Sequence, residues 1–481
     1  MKQIRAMCVA LMIGVFSMMA SADDDAPVYS AEVIREDFAQ LYETLKAAHA
    51  DLFVEVARAD YDALYAEMRR QLDRPMHRDE VVWRFQEFVA FGRVAHARID
   101  EAGALFDQHR GDGGKYLPLV PRIRNGKAFV SRYNGDALQP GDELLAVDGV
   151  AFRDLLKAMR RHQSADTDYL AHTMLEWQFS RLLWQLHPGQ RHFRIRLRRD
   201  GEIREQVLST ATQDQLRQMA EARGDENRLE LSWTEREFRR IDDDVAYLRP
   251  GPFYNVGDEG LWDTTAFISF IDDAFESLVE RNTPALLIDV RDNPGGDAAF
   301  SDPMIAWFAD RPFRFYSTFE VRVSQPAIEA NAKRLASGNG GISRQYAREY
   351  ARRESGETFQ MEISMVEPRD APRYQGEVYI LINRHSFSNA ATVAALVQDY
   401  DFATLLGEET ADLATTLGAM EQFTLEHTGI AVGFPKARIV RPSGDETRRG
   451  VVPDVAIETP LVEPVDDPVL LEAVEIIRRS T

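Results

Sequence analysis

Three features of the chain predict an α/β protein. From about residue 240 onward, short apolar runs alternate with amphipathic stretches of helical length, and "PALLIDVR" and "GEVYILIN" are almost unbroken apolar runs. Such runs suit parallel strands buried on both faces. Before them, residues 113–212 alternate polar and apolar around "NG" and "DG" turns, and residues 30–95 carry apolar side chains at helical spacing. With 481 residues, 44% of them hydrophobic, the chain is long enough for two or three cores.

In chain order, residues 1–22 read as a secretory signal. Lys2 and Arg5 give a positive start, an apolar run extends from Ala6 to Met19, and Ala20-Ser21-Ala22 offers small residues for cleavage. The run is short for a membrane span and acidic residues follow it. The expectation is an exported protein with no stable membrane insertion after cleavage. Cys8 is the only cysteine and lies in that leader, so the mature chain has no disulfide and no thiol nucleophile. Export without disulfides points to the periplasm of a Gram-negative bacterium.

Residues 23–112 form a predicted helical region. "SAEVIREDFAQLYETLKAAHADL" sets Val33, Phe38, Leu41, Leu45 and Ala48 on one helix face, and "HRGDGGK" ends the region. Residues 113–212 form a compact β-rich unit with one helical stretch from Arg153 to Leu186 and a hairpin turning at "DG" in "RHFRIRLRRDGEIREQVLST". Residues 213–239 are polar and read as a connector with some helix. Residues 240–481 are the α/β core, with strands in "DDVAYLRP", "PALLIDVR", "GEVYILIN" and "DFATLLGE" and helices in "DTTAFISFIDDAFESLVER" and "SNAATVAALVQDY". The polar segment 325–375 reads as a mobile insertion.

The net charge is −21 at pH 7. Removing the leader leaves 55 basic against 78 acidic residues, a net of −23. That balance disfavours nucleic acid and anionic membrane surfaces as partners. No H-E-x-x-H or other ligand spacing is present, so neither metal nor cofactor is predicted.

Three short stretches carry possible chemistry. In "LLIDVRDNPGGD", residues 286–297, an apolar strand runs into Gly295-Gly296. Two glycines there let the backbone approach a ligand and aim N–H groups at developing negative charge, although an ordinary strand-to-helix turn has the same form. In "INRHSFSNAATVAALVQDYDF", residues 382–402, Ser388 precedes a helix, where it either caps that helix or acts as a nucleophile beside the Asn389 N–H. No G-x-S-x-G elbow surrounds it. The third stretch, "GDETRRGVVPDVAIETP", residues 444–460, is a charged turn followed by a short apolar strand.

Together these stretches resemble the serine peptidase family of C-terminal processing (tail-specific) and tricorn-type proteases. The matching residues are Asp289-Val290-Arg291-Asp292-Asn293-Pro294-Gly295-Gly296, Ser386-Phe387-Ser388-Asn389-Ala390, Gly407-Glu408-Glu409-Thr410 and Gly450-Val451-Val452-Pro453-Asp454. The resemblance implies a crotonase-like (ClpP-like) α/β core, a PDZ-like unit over 113–212 that seats substrate by strand addition, and a peptide or protein substrate. It maps the nucleophile to Ser388 rather than Ser386, matches Asp399, and gives the oxyanion to Gly295, Gly296 and Asn389.

The better-known members place a lysine just after the G-E-x-T motif. Leu413 occupies that position here, and Lys436 lies beyond a predicted strand, so a Ser–Lys dyad is not expected. The tricorn-like branch uses a histidine from the N-terminal region, which maps to His96 in "FVAFGRVAHARI"; His385 is the reserve base. A glutamate before G-V-x-P-D completes that branch's triad and maps to Glu446, with Asp445 and Glu408 as alternatives. The implied function is a periplasmic serine-type peptidase. The family also holds retinoid-binding relatives, so a non-catalytic peptide- or lipophile-binding protein is the competing expectation. Oligomeric state is left open.

Overall fold

The computed structural model describes residues 27–481 apart from 134, 136, 224–231, 258, 259, 337–340, 463–465 and 481. The predicted leader and its cleavage site lie outside the described residues. The fold is mixed α/β with several sheets.

The principal sheet has six strands in the order Val455–Ala456, Thr404–Gly407, Glu377–Ile382, Ala285–Asp289, Val245–Arg249, Glu237–Arg240. All pairings are parallel except the last. Every residue of Val245–Arg249 and Ala285–Asp289 is buried, because helices cover both faces. The helices Thr265–Glu280, Ala298–Ala306 and Asn389–Asp399 share one core, and Pro468–Ser480 closes the other face. Asp289 pairs in register with Leu381, so the two chains leave the carboxyl ends of neighbouring strands side by side. Open α/β sheets place their sites there.

A second sheet was not foreseen. Thr358–Gln360, Thr318–Arg322, Ala431–Val440 and Thr416–Thr424 pair antiparallel in that order. The segment expected to be a mobile insertion contributes to it: helices Gln325–Ala336 and Gly341–Tyr350 and the strand Thr358–Gln360 pack Tyr346 and Tyr350 against Phe319 and Phe359. The two tyrosines are four residues apart on one helix face, and the polar opposite face hid that stripe.

The N-terminal helices Ala31–Ala48, Arg58–Gln71, Arg78–Ala90 and Glu101–Gly111 do not close a core alone. Phe38, Phe85 and Phe88 pack with Leu417, Ile430, Val432 and Phe434 of the long hairpin in the second sheet. Arg98 and Gly433 exchange backbone hydrogen bonds of 3.2 and 2.8 Å, and Asp37 accepts the N–H groups of His427 and Thr428 at 3.1 and 2.8 Å.

Residues 119–209 form a third, antiparallel sheet in the order Leu119–Arg124, Lys127–Tyr133, Glu143–Val147, His192–Arg199, Glu202–Ser209. The expected helix over 153–186 is two helices, Phe152–Arg160 and Asp168–Leu186. Thr167 caps the second by accepting the Leu170 N–H at 3.0 Å, and the break buries Asp166. The connector contains the helix Gln213–Arg223.

At the end of Ala285–Asp289 a buried charge network fixes the strand exits. Asp289 pairs with Arg291 at 2.7 Å and Arg249 at 3.2 Å and accepts the Tyr247 hydroxyl at 2.9 Å; Arg291 also holds Asp467 at 2.6 Å. Replacing Asp289 by Ala leaves two buried guanidinium groups short of a partner. It is expected to lower stability by about 3–5 kcal/mol, read from the shift of the urea unfolding midpoint.

Candidate active site

The site forms where the strand Glu377–Ile382 turns into the helix Asn389–Asp399. The two serines of that turn have different work. Ser386 is fully buried; its hydroxyl donates to the Val290 carbonyl at 2.7 Å and accepts the Asn383 N–H at 3.1 Å. Ser388 sits at φ 53°, ψ −119°, and its side chain makes no capping bond to the helix that follows. A non-glycine residue at that backbone geometry is strained, and such strain persists only where the surroundings impose it. The hydroxyl of Ser388 is thus left at a helix N-terminus with no hydrogen bond among the described residues.

Gly295 explains part of that imposition. It has φ 90°, and a Cβ built on it would lie 2.6 Å from the Asn389 nitrogen and the Phe387 carbonyl oxygen and 2.8 Å from Ser388 Cβ. Only glycine allows the two loops to touch. The Gly295 N–H donates to Asn293 Oδ1 at 2.8 Å, and the Phe387 N–H donates to the Asn293 carbonyl at 2.9 Å. Gly296, at φ 140°, lies against the Phe253 carbonyl, where a Cβ would come within 2.1 Å. The N–H groups of Gly296 and Asn389 have no acceptor among the described residues.

His96 follows the helix Arg78–Ala90 in a tight turn. It is buried, and its ring lies 5.7 Å from that of Phe387, the residue before Ser388. Ala95 packs in one small cluster with Phe387 and Ala411. The structure therefore brings the N-terminal imidazole to the Ser388 turn, 388 − 96 = 292 residues further along the chain. Burial lowers the His96 pKa to about 4, and the Arg98 charge adds to this, while the Leu417 backbone carbonyl favours the protonated ring. Nδ1 has no hydrogen-bond partner among the described residues.

Two carboxylates that sequence reasoning missed hold these groups. Asp412 Oδ2 accepts the Ser388 N–H at 2.6 Å and Oδ1 accepts the Leu413 N–H at 3.0 Å. Asp166 Oδ2 accepts the Ala95 N–H at 3.0 Å, and Oδ1 lies 3.3 Å from Arg448, which also pairs with Glu55 at 2.8 Å. Burial and the neighbouring Asp166 carboxylate push Asp412 up to about 7, and burial pushes Asp166 up to about 6. Asp412 is adjacent to Leu413, the position searched for a lysine. Asp166 lay inside an expected continuous helix, where the small and polar run "SADT" was the only local sign of a break.

The remaining sequence candidates are placed elsewhere. Glu446 is exposed and pairs with Arg438 at 2.8 Å; among the described residues no hydrogen bond joins it to His96. Asp445 caps its own turn by accepting the Thr447 N–H at 2.8 Å. Glu408 pairs with Arg384 at 2.5 Å, and Asp399 with Arg441 at 2.7 Å. Lys436 is buried in the second sheet with Glu421 at 2.5 Å. His385, the reserve base, stacks on Trp177 with ring centres 4.1 Å apart and lies 3.6 Å from Glu176 Oε2.

Glu176 also ties the third sheet to this turn. It pairs with Arg384 at 3.0 Å and accepts the Ile123 N–H at 2.7 Å, while Arg384 donates to the Ile123 carbonyl at 3.2 Å. Among the described residues no group of three or more His, Cys, Asp or Glu is arranged to hold a metal ion, and no helix is long and apolar enough to cross a membrane.

A strained serine at a helix N-terminus thus has a glycine loop against it and a buried imidazole close to its turn. Residues 260–457, within the α/β core, match the model of Peptidase family S41. The fold is similar to the crystal structure of mature CPAF, at TM-score 0.62 and 16% identity, over 89% of this chain and 92% of that one. It is equally similar to mature CPAF complexed with lactacystin, at TM-score 0.63 and 16% identity, over 94% of this chain and 97% of that one. No curated protein matches the chain.

Because Gly295 touches backbone atoms on two sides at positive φ, Gly295→Ala is expected to cost about 2–4 kcal/mol. A urea titration measures this; a cost below measurement would show that the two loops are free to part.

Proposed function

We propose that this protein is an exported serine peptidase in which Ser388 attacks the peptide carbonyl and His96 accepts its proton. The observation that carries this reading is the Ser388 turn itself: a strained residue whose hydroxyl is spent neither on its helix nor on a neighbour. His96 is neutral at pH 7 because burial holds its pKa near 4, so it is in the form that takes a proton. The Gly296 and Asn389 N–H groups, both unengaged, hold the oxyanion of the tetrahedral intermediate; Gly295 serves by shape, since its N–H belongs to Asn293. His96 then returns the proton to the leaving amine, and water releases the acyl group from Ser388 by the same route. The Leu417 carbonyl and the Phe387 ring orient the imidazole.

Residues 113–212 serve as the PDZ-like unit of this reading and present substrate to the site. Strand addition at the Leu119–Arg124 edge competes with Glu176 and Arg384, which hold the Ile123 N–H and carbonyl. The leader directs the protein to the periplasm.

A binding-only reading draws on the missing lysine and on the lack, among the described residues, of a hydrogen bond between Ser388 and His96. It would make the protein a peptide- or lipophile-binding member of the same fold. A fluorophosphonate probe separates the two. Labelling is expected at Ser388, to vanish in Ser388→Ala and to fall by at least about a hundredfold in His96→Ala. Well-folded protein that takes no label is the outcome that ends the peptidase reading.

The pH dependence has a defined sign. Lowering the imidazole pKa keeps the base free to lower pH, so the labelling rate is expected to hold from pH 8 through pH 6 and to fall only toward about 4. A fall centred near the ordinary histidine value of 6.5 would show that His96 is not buried in the reacting form.

A further inference from the structure

The strand Val245–Arg249 leaves the principal sheet beside Ala285–Asp289, and the loop that follows it borders the glycine pair. Phe253 and Gly296 form a parallel bridge there: the Phe253 N–H donates to the Gly295 carbonyl and the Asp297 N–H to the Phe253 carbonyl, each at 2.9 Å. Beyond Phe253 the loop is braced from within. Asn255 is buried, and its N–H donates to the Leu261 carbonyl at 2.9 Å. Its side-chain amide donates to the carbonyls of Gly260 and Asp263 at 2.9 and 2.5 Å. Arg236 donates to Asn255 Oδ1 at 3.0 Å and to the Tyr254 carbonyl at 3.1 Å, with its guanidinium over the Phe267 ring.

A loop held this firmly by its backbone turns its polar side chain inward and its apolar ones outward. Val256, Leu261 and Trp262 are 52%, 51% and 54% exposed, and the Trp262 ring meets that of Tyr254 at 6.2 Å between centres. The segment alongside is tied on by the Ser232 carbonyl, which accepts Arg249 at 3.0 Å, and by Arg236; it carries another exposed indole, Trp233. Single exposed apolar side chains are ordinary, but several gathered on one braced loop mark a surface that something covers.

Strand order fixes where this ledge lies relative to Ser388. Across the sheet the neighbouring carboxyl ends are those of Thr404–Gly407, Glu377–Ile382, Ala285–Asp289 and Val245–Arg249. The first leads to Ala411, which packs with Ala95, and to Asp412; the second leads to Ser388, the third to Gly295 and Gly296, and the fourth to the ledge. The turn carrying His96 and the ledge therefore flank Ser388 from opposite sides. In the proposed reaction His96 returns its proton to the leaving amine, so the leaving half of the substrate lies on the His96 side. The acyl half then runs past Gly296 toward the ledge.

We infer that Tyr254, Val256, Leu261 and Trp262 form a docking ledge for an extended apolar segment of the substrate, on the acyl side of the cut and outside the reacting centre. An extended chain advances about 3.3 Å per residue and turns alternate side chains to one face, so two or three apolar residues at alternate positions cover the ledge. Tyrosine and tryptophan give such a surface large contact area with few rotatable bonds to order. Folded proteins bury runs of that kind, so the substrate class is an unfolded or partly unfolded chain. Continuity with the glycine loop favours substrate over a second copy of the chain, and the net charge of −21 disfavours an anionic bilayer. The purpose of the ledge rests on the peptidase reading; its affinity for an apolar segment does not.

The test uses full-length Ser388→Ala protein and two fluorescein-labelled peptides of equal length on a Gly-Ser frame. One carries leucine, tryptophan and leucine at alternate positions in its middle; the other carries asparagine there. Fluorescence anisotropy is expected to show the apolar peptide bound about tenfold more tightly. The preference is expected to vanish in Ser388→Ala/Leu261→Ser/Trp262→Ser and to persist in Ser388→Ala/Leu261→Met/Trp262→Phe, which shows that apolar surface rather than folding was lost. Equal binding of both peptides, binding of neither, or a preference unchanged by the serine substitutions at 261 and 262 overturns the inference. A dimer in sedimentation velocity, or binding to phosphatidylcholine vesicles, that those substitutions abolish also overturns it, because the ledge then belongs to a second copy or to a bilayer. With Ser388 intact, mass spectrometry is expected to find cuts in the apolar peptide on the carboxyl side of the apolar block; cuts confined to its amino side overturn the assignment to the acyl half. Fluorophosphonate labelling of Ser388 is scored separately. Labelling without a preference between the peptides removes the ledge and leaves the peptidase; a preference without labelling keeps the ledge and removes the peptidase.

Discussion

The structure depends on one join: the N-terminal helices complete their core on the hairpin 416–440. Arg98 and Gly433 pair edge to edge there, and Phe38, Phe85 and Phe88 pack on Val432 and Phe434. Neither side buries its apolar surface without the other, so the turn carrying His96 has a fixed position relative to the sheet carrying Ser388. Burial of apolar surface is non-directional, however, and it sets only the approach of the two halves. The directional part comes from two carboxylates. Asp166 accepts the N–H of Ala95, the residue before His96, and Asp412 accepts the N–H of Ser388. Each ion accepts a backbone N–H, which is among the stronger hydrogen bonds a folded chain makes.

A second constraint acts from within the principal sheet. Parallel pairing of Asp289 with Leu381 sends two chains out of the sheet as neighbours, and the absence of a side chain at Gly295 lets them come into contact. The Asn293 side chain and carbonyl then take the N–H groups of Gly295 and Phe387, so the glycine loop and the Ser388 turn are one hydrogen-bonded body. Strain at Ser388 is the cost of that union, and the union is what maintains it. Ser386, buried and doubly bonded, anchors the same turn and leaves Ser388 free for other work.

Local signals in the sequence were sufficient for much of this. Unbroken apolar runs identified the parallel strands, and a glycine pair after a strand and a serine before a helix identified the two facing loops. What stayed hidden was set by contacts between residues far apart in the chain. Asp412 and Asp166 are undistinguished acidic residues until folding brings one to Ser388 and the other to Ala95, 71 residues before it. The second sheet was hidden because its longest strands, Thr416–Thr424 and Ala431–Val440, mix small, charged and apolar residues. Their inner face is completed by helices that precede them by hundreds of residues. The reading of 325–375 as a loose insertion failed for a related reason: a helix with a narrow apolar stripe is mostly polar by count.

Burial also gives the site its proton inventory. Withdrawal from water disfavours every charge, so it lowers His96 to about 4 and raises Asp412 and Asp166 to about 7 and 6. A lysine placed in the same surroundings would meet the same penalty, and the chain has an apolar Leu413 beside Asp412. Histidine has a lower ordinary pKa than lysine, and burial here keeps the imidazole neutral at pH 7. The two carboxyls that titrate nearer neutral pH are those that hold the Ala95 and Ser388 N–H groups. The same two residues thus combine a raised affinity for a proton with a fixed place in the backbone around Ser388 and Ala95.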